Sequence, residues 1–434
     1  MLIQPAKHIR GMIELPGDKS ISHRAAILSA MANGETSIRN FATSADCAST
    51  LMCLKALGVE IMRDGTDVMI KGVGKTGFFK SETNLDCGNS GTTMRLLSGV
   101  LAGQDFDSVL IGDESLQKRP MKRVIEPMQR MGAQIEALEN HAPLTIHGKN
   151  PLVSAEHELK VASAQIKSCI LLAGLNADGE TSLIEKTPTR DHTERMLRWL
   201  GAELREDHDE SGNKLTISGT ATLTAKDMNV PADISSAAFF LVAAACLPGS
   251  EIVLSNVGLN PSRTAVIDVL MRFGADIVIS DQKQICNEPV ASLTVKGGIR
   301  RTNSSNLLHG PVIANLIDEI PIIAVFATQL ENGMEIRDAA ELRVKESDRI
   351  SAVVENLRRM DADIEEFPDG LRVGRSELKG AVIQSFGDHR IAMAFAVAGL
   401  FASGETEIVG ADCAAVSFPA FFETLASLRG ETGA

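Results

Sequence analysis

One unit recurs six times along this 434-residue chain, and no other feature restricts the fold as much. Each unit opens with a stretch of small and apolar residues that reads as a helix and runs into a glycine turn. The six stretches begin near Ser20, Ser90, Ser163, Ser235, Asp318 and Asp388. Their turns fall at Gly34, Gly103, Gly179, Gly249, Gly333 and Gly404, at intervals of 69 to 84 residues. A short alternating segment follows each turn, such as Ser108-Val109-Leu110-Ile111 or Thr181-Ser182-Leu183-Ile184, and this period of two predicts a strand. A second, more amphipathic helix comes next. Five times it ends in a related signature, at Leu57-Gly58-Val59, Met131-Gly132-Ala133, Leu200-Gly201-Ala202, Phe273-Gly274-Ala275 and Met360-Asp361-Ala362. The glycine suits a helix C′ position at positive φ. Asp361 replaces it once, and aspartate tolerates that conformation better than most residues. The sixth second helix, Phe418 to Leu428, has no strands after it.

Each unit therefore reads β-α-β-α-β-β, which makes the chain α/β, with both helices needing a sheet to cover. The length exceeds one ordinary core, so the six units are expected to group by threes. The turn-like Val230-Pro231-Ala232 marks one crossover and Pro16-Gly17 the other. The expected domains are 17–231 and 1–16 plus 232–434, with an active site in the cleft between them. Apolar runs such as Ala237 to Leu247 are too short to span a bilayer, and no secretory signal is evident at the start. Seven scattered cysteines without a CxxC pair fit buried free thiols in a reducing cytoplasm. A net charge of −13 argues against nucleic-acid binding. Basic residues gathered in such a chain need a local reason, and a small anionic substrate supplies one.

The chemistry-bearing residues cluster at the helix starts. In Gly17-Asp18-Lys19-Ser20-Ile21-Ser22-His23-Arg24, Ser20 or Ser22 is expected to cap the helix. Lys19 and Arg24 stand where the macrodipole disfavours cations unless an anion is bound. The second start, Cys87-Gly88-Asn89-Ser90-Gly91-Thr92, pairs backbone access at its glycines with polar side chains. The third offers Ser163 and Gln165. The fourth, Asp233-Ile234-Ser235-Ser236, has no adjacent cation and reads as a structural cap. Asp318-Glu319 opens the fifth, where capping is the plainer role, and Gly387-Asp388-His389-Arg390 the sixth. Second helices add Lys118-Arg119 and Arg190 near their starts. They also add Lys345 and Arg349, four apart and expected on one helical face, where Glu346 and Asp348 can neutralise them as a solvated network. His23 and His389 lack metal-ligand spacing and read as structural hydrogen-bonding groups. If the six N-termini converge on one cleft, these cations concentrate a polyanion there, and Asp318 and Glu346 among them suit proton transfer.

Together these segments resemble the 5-enolpyruvylshikimate-3-phosphate synthase family. The resemblance is carried by GDKSISHRA (17–25), CGNSGTTMRLL (87–97), KRPM (118–121), ASAQIKS (162–168), TRDHTERML (189–197), DEIP (318–321), ELRVKESDRI (341–350) and GDHRIAMAFAVAG (387–399), in family order over nearly the whole chain. It implies a two-domain inside-out α/β barrel of six βαβαββ units. It implies transfer of the enolpyruvyl group of phosphoenolpyruvate to the 5-hydroxyl of shikimate 3-phosphate with release of phosphate. The expected setting is a cytoplasmic monomer with no cofactor, metal, nucleic-acid or membrane partner. By motif, Lys19 touches both substrates. Ser20, Arg24, Ser163, Ala164 through its backbone, Gln165, Arg190, Asp318 and Lys345 hold shikimate 3-phosphate. Asn89, Gly91, Arg119, Gln165, Arg349 and Arg390 hold phosphoenolpyruvate, with Asp318, Glu346 and Lys19 catalytic. Ser163-Ala164-Gln165 and Arg190 resemble the second of the family's two sequence classes. Many members place a lysine just before the late Phe-Pro motif, where this chain has Ala414-Ala415-Val416-Ser417. UDP-N-acetylglucosamine enolpyruvyl transferase shares the fold but typically carries a catalytic cysteine in the loop that here reads Gly112-Asp113-Glu114-Ser115-Leu116-Gln117, so it fits less well. An anion-binding protein without chemistry gives no reason for Asp318 and Glu346 beside the cations.

Overall fold

A computed structural model describes residues 1–210, 212–302 and 304–429. Among these residues the repeat is visible in the sheets. Leu85–Asp86 runs parallel to Asp107–Ile111, which pairs antiparallel with His141–His147, which pairs antiparallel with Gln134–Leu138. The parallel pair requires a helical crossover, supplied by Gly91–Ala102, whereas the antiparallel pair closes through a tight hairpin. The same order recurs in the sheet built around Glu180–Glu185 and in that around Met334–Ile336.

Two further four-stranded sheets borrow their first strand from a distant part of the sequence. Met228–Asn229 pairs in parallel with Asn33–Arg39, and Arg10–Ile13 pairs in parallel with Glu251–Gly258. The remaining sheet has three strands. Val382–Gln384 runs parallel to Thr406–Val409, and Leu2–Ile3 lies antiparallel where the other sheets place a hairpin strand.

The chain divides into two compact units. One comprises Gly17–Val230 with the short segment Ile285–Glu288, and the other comprises Met1–Pro16, Pro231–Gln284 and the residues from Pro289 onward. Each has its own hydrophobic core. The leading helices sit deep inside these cores because small residues occupy every face. In Ile234–Cys246 each residue from Ile234 to Ala245 is buried. A helix apolar all round finds no stable place at a surface. Close packing also places functional side chains. A Cβ on Gly99 would stand 2.2 Å from the Cys169 carbonyl oxygen, so only glycine lets Gly91–Ala102 lie this close to Ala164–Gly174.

Each second-helix signature closes as its sequence predicts. Gly58, Gly132, Gly201 and Gly274 have φ between +87° and +98°, and Asp361 adopts +64° in the same role. Two local expectations need correction. The cap of Lys19–Met31 is Asp18, whose carboxylate accepts from the Ile21 N–H at 2.9 Å, rather than Ser20 or Ser22. The Ser22 hydroxyl instead accepts from the Ala42 N–H. Lys345 and Arg349 do not share a helical face. Lys345 is extended at the end of the 3₁₀ turn Ala340–Val344, and Arg349 opens Arg349–Arg359, capped by Asp348. No helix among the described residues is long and apolar enough to cross a membrane.

Candidate active site

Within the unit Gly17–Val230, three helix starts bring the predicted side chains together. Lys19 Nζ lies 2.8 Å from Asp46 Oδ2, an acid in the first turn of Ala45–Ala56 that offsets a cation placed against the dipole. Arg24 is buried, and its guanidinium is directed at protein partners. Nε donates to Thr193 Oγ1 at 2.8 Å, Nη1 to the Ser20 carbonyl at 2.9 Å and Nη2 to Ser168 Oγ at 2.9 Å. It thereby ties Lys19–Met31 to Ala164–Gly174 and His192–Trp199. His23 is buried between the first two helices, its Nδ1 2.6 Å from Thr50 Oγ1. Burial, with Lys19 and Arg24 adding to it, pushes its imidazole pKa well below the ordinary histidine value, so the ring is neutral near pH 7.

A second group surrounds Gly91. Arg119 Nη2 donates to Asn89 Oδ1 at 2.8 Å, and Asn89 Nδ2 donates to Asp113 Oδ2 at 2.8 Å. Gln165 Oε1 accepts from Arg95 Nη1 at 2.6 Å, while its Nε2 donates to Thr92 Oγ1 at 2.8 Å. Because a guanidinium only donates, Arg95 fixes which way the Gln165 amide points. A Cβ built on Gly91 would meet Arg95 Nη1 at 2.9 Å and Arg119 Nη1 at 3.3 Å, so both cations flank this glycine. Ser163, at the N-cap of its helix, makes no side-chain cap bond and is half-buried with Ala164 and Gln165. Arg190 is also half-buried, on a loop held from below by a fully buried lysine. Lys167 Nζ contacts Glu185 at 2.9 Å, Glu194 at 2.7 Å and the Thr189 carbonyl at 3.2 Å.

The other unit gathers two guanidiniums and several carboxylates. Arg349 is 1% exposed at its side chain, with Nε 2.8 Å from Asp388 Oδ2, Nη2 2.7 Å from Glu346 Oε2 and Nη1 3.4 Å from Asp318 Oδ1. Burial alone would lower its pKa, but Asp388 and Glu346 outweigh burial and hold it above the ordinary arginine value. Burial likewise works against the Asp388 carboxylate, and Arg349 reverses the direction, so Asp388 stays ionised. Arg390 Nη1 donates to the Asp318 carbonyl at 2.8 Å, and its Nη2 lies 3.8 Å from Asp318 Oδ2. Asp318 is thus flanked by both arginines. Lys345 Nζ contacts Glu341 Oε1 at 3.1 Å.

Residues 3–425 match the profile of EPSP synthase (3-phosphoshikimate 1-carboxyvinyltransferase). The chain is 51% identical over 431 residues to the 3-phosphoshikimate 1-carboxyvinyltransferase of Salinibacter ruber, covering 98% of each. It is 50% identical over 425 residues to that of Geobacillus kaustophilus, covering 97% of this chain and 98% of the relative. The chain belongs to the EPSP synthase family. Its fold is that of the solved EPSP synthase from Acinetobacter baumannii, with a TM-score of 0.87 at 41% identity over 99% of this chain and 98% of that one.

Against this family background, three placements differ from the sequence reading. The start at Asp233 does have a cation beside it, since Arg263 Nη2 lies 2.6 Å from Ser235 Oγ and 3.5 Å from Asp233 Oδ1. Glu319 sits at an N-cap yet makes no side-chain cap bond. Glu346 and Asp348 do not form one solvated network, because Glu346 pairs with Arg349 and Asp348 with Arg343. Arg95 was given no role by sequence, although a cation inside the apolar run Met94 to Leu97, one turn past Gly91, is itself a signal.

Proposed function

We infer that the clusters of both units act on one pair of substrates, in the carboxyvinyl transfer that defines the family. The protein is a carboxyvinyltransferase of the shikimate pathway, joining phosphoenolpyruvate to shikimate 3-phosphate. The O5 oxygen adds to C2 of phosphoenolpyruvate while the methylene carbon takes up a proton. The resulting tetrahedral adduct then loses a proton from its new methyl group and expels phosphate, restoring the double bond.

In this reading Ser20, Arg24, Ser163, the Ala164 backbone, Gln165, Arg190 and Lys345 hold shikimate 3-phosphate. Asn89, Gly91, Arg119, Gln165, Arg349 and Arg390 hold phosphoenolpyruvate, and Lys19 serves both substrates and steadies the departing phosphate. Arg24 contributes chiefly by fixing Ser20 and the helix starts around it, given its protein partners. Asp318 takes the proton of the 5-hydroxyl. Glu346 delivers and removes the proton at the methylene carbon. The observation that carries these assignments is the Arg349 cluster, where two partly exposed carboxylates, Asp318 and Glu346, share one buried guanidinium. A carboxyl group so held keeps a fixed direction toward the atom with which it exchanges a proton. The reading takes the protein to act as a cytoplasmic monomer. Phosphate release that requires both substrates, and stops when either is omitted, tests the reading. Release from phosphoenolpyruvate alone would contradict it.

A further inference from the structure

Glu319 combines three properties that a helix cap does not explain. Its side chain is 1% exposed, it stands at the N-cap of Ile320–Ala327, and it caps nothing. Its Oε1 is instead shared by the Ser235 hydroxyl and Arg390 Nη1, the latter at 3.4 Å. The direction of these bonds is fixed by chemistry. Arg263, itself buried, has only donors, so the Ser235 oxygen must accept from Arg263 Nη2 at 2.6 Å. The single Ser235 proton is then left for Glu319. Buried Arg263, Ser235 and Glu319 form a chain with one possible polarity that ends on the partly exposed Arg390, joining the starts of Ile234–Cys246, Ile320–Ala327 and His389–Leu400.

Arg390 needs such a partner. It is the second residue of His389–Leu400, where the helix dipole repels a cation; the cap Asp388 takes its backbone N–H at 2.9 Å, and the Asp318 carboxylate lies 3.8 Å from its guanidinium. Without Glu319, Arg390 would keep its bond to the Asp318 carbonyl at 2.8 Å, but its guanidinium could pivot about that bond toward the Asp318 carboxylate, now 3.8 Å away. We propose that Glu319 is a positioning residue that holds the Arg390 guanidinium in its phosphoenolpyruvate-binding pose, with Ser235 and Arg263 orienting its carboxylate. The inference rests on the assignment of Arg390 to phosphoenolpyruvate.

The test compares Glu319→Gln, Ser235→Ala, Arg390→Lys and the double variant Glu319→Gln/Arg390→Lys, measuring kcat and both KM values after thermal melts establish folding. Glu319→Gln removes the charge and keeps the shape. It is expected to raise the KM for phosphoenolpyruvate about tenfold, the effect of weakening one charged hydrogen bond, and to leave the KM for shikimate 3-phosphate within about twofold. Ser235→Ala keeps the charge and loses its orientation, so it should move the same KM in the same direction by less. This arm also decides the matter if Glu319→Gln does not fold. In the Arg390→Lys background the Glu319→Gln effect should largely vanish, because the group it positions is gone. If Arg390→Lys impairs phosphoenolpyruvate binding while Glu319→Gln and Ser235→Ala do not, the inference is overturned and the Arg390 assignment stands. Equal rises in both KM values, or full additivity in the double variant, also overturn it. An Arg390→Lys enzyme with unchanged KM for phosphoenolpyruvate overturns the assignment and the inference together.

Discussion

Replacing Glu346 by glutamine isolates proton transfer from structure. The glutamine oxygen can still accept from Arg349 Nη2, which lies 2.7 Å from the native carboxylate. Arg349 also keeps Asp388 at 2.8 Å and Asp318 at 3.4 Å, so its buried charge remains compensated. In the variant Asp318, Glu319 and Asp388 still surround the two guanidiniums of Arg349 and Arg390. Because the glutamine oxygen keeps one hydrogen bond to Arg349, the stability change should stay within about 1.5–3 kcal/mol, the worth of a single charged hydrogen bond. By contrast, Arg349→Met would strand the fully buried Asp388 and cost about 3–5 kcal/mol, confounding fold with function. What Glu346→Gln does lose is the proton. A positioned acid/base group contributes about 10²–10⁴ in rate, or about 2.7–5.5 kcal/mol of barrier. The expected result is a kcat lowered by that factor, read from continuous phosphate release, with shikimate 3-phosphate affinity by calorimetry nearly unchanged. A kcat within about threefold of wild type, or a parallel loss of substrate affinity, would refute the reasoning.

Two further outcomes follow from Gly91 and His23. Gly91→Ala puts a methyl 2.9 Å from Arg95 Nη1 and 3.3 Å from Arg119 Nη1, so one of the two must shift. Steady-state kinetics should show a raised KM for phosphoenolpyruvate, and an unchanged KM would count against the placement of Gly91. His23 has a folded pKa depressed below 6.5, so the unfolded chain takes up its proton first on acidification. The His23 contribution is complete above pH 6.5 and erodes below it by up to about 1.4 kcal/mol per pH unit, until the folded pKa is reached. Urea titrations at pH 7 and pH 5 should show a steeper stability loss for wild type than for His23→Asn, and equal losses would exclude this role.

The periodic part of this fold is readable because its causes are local. The turn after a second helix needs a residue tolerant of positive φ, and Gly58, Gly132, Gly201, Gly274 and Asp361 supply one at the same point of five units. The helix starts that carry cations are readable for the same reason, since cations at an N-terminus conflict with the dipole on sight. What escapes the sequence is pairing across distance. Arg263 reaches Ser235 from 28 residues away, and nothing around Asp233 announces it. Lys345 and Arg349 have helical spacing, yet Asp348 begins a new helix between them and separates their directions. Asp18 takes the cap that Ser20 and Ser22 were equally fit for, since all three are short acceptors and only the backbone path chooses. The buried Lys167 beneath the Arg190 loop depends on Glu185 and Glu194, which lie on different elements.

In the proposed mechanism Glu346 moves a proton on and off the methylene carbon of phosphoenolpyruvate. Running the reaction in D₂O with both substrates reads this directly, because the transient methyl group can lose hydrogen and keep deuterium. Nuclear magnetic resonance should find deuterium at that carbon in product and in recovered phosphoenolpyruvate. Glu346→Gln should slow its appearance by the same factor that lowers kcat. Phosphate release without deuterium at that carbon, or undiminished exchange in Glu346→Gln, would contradict the account.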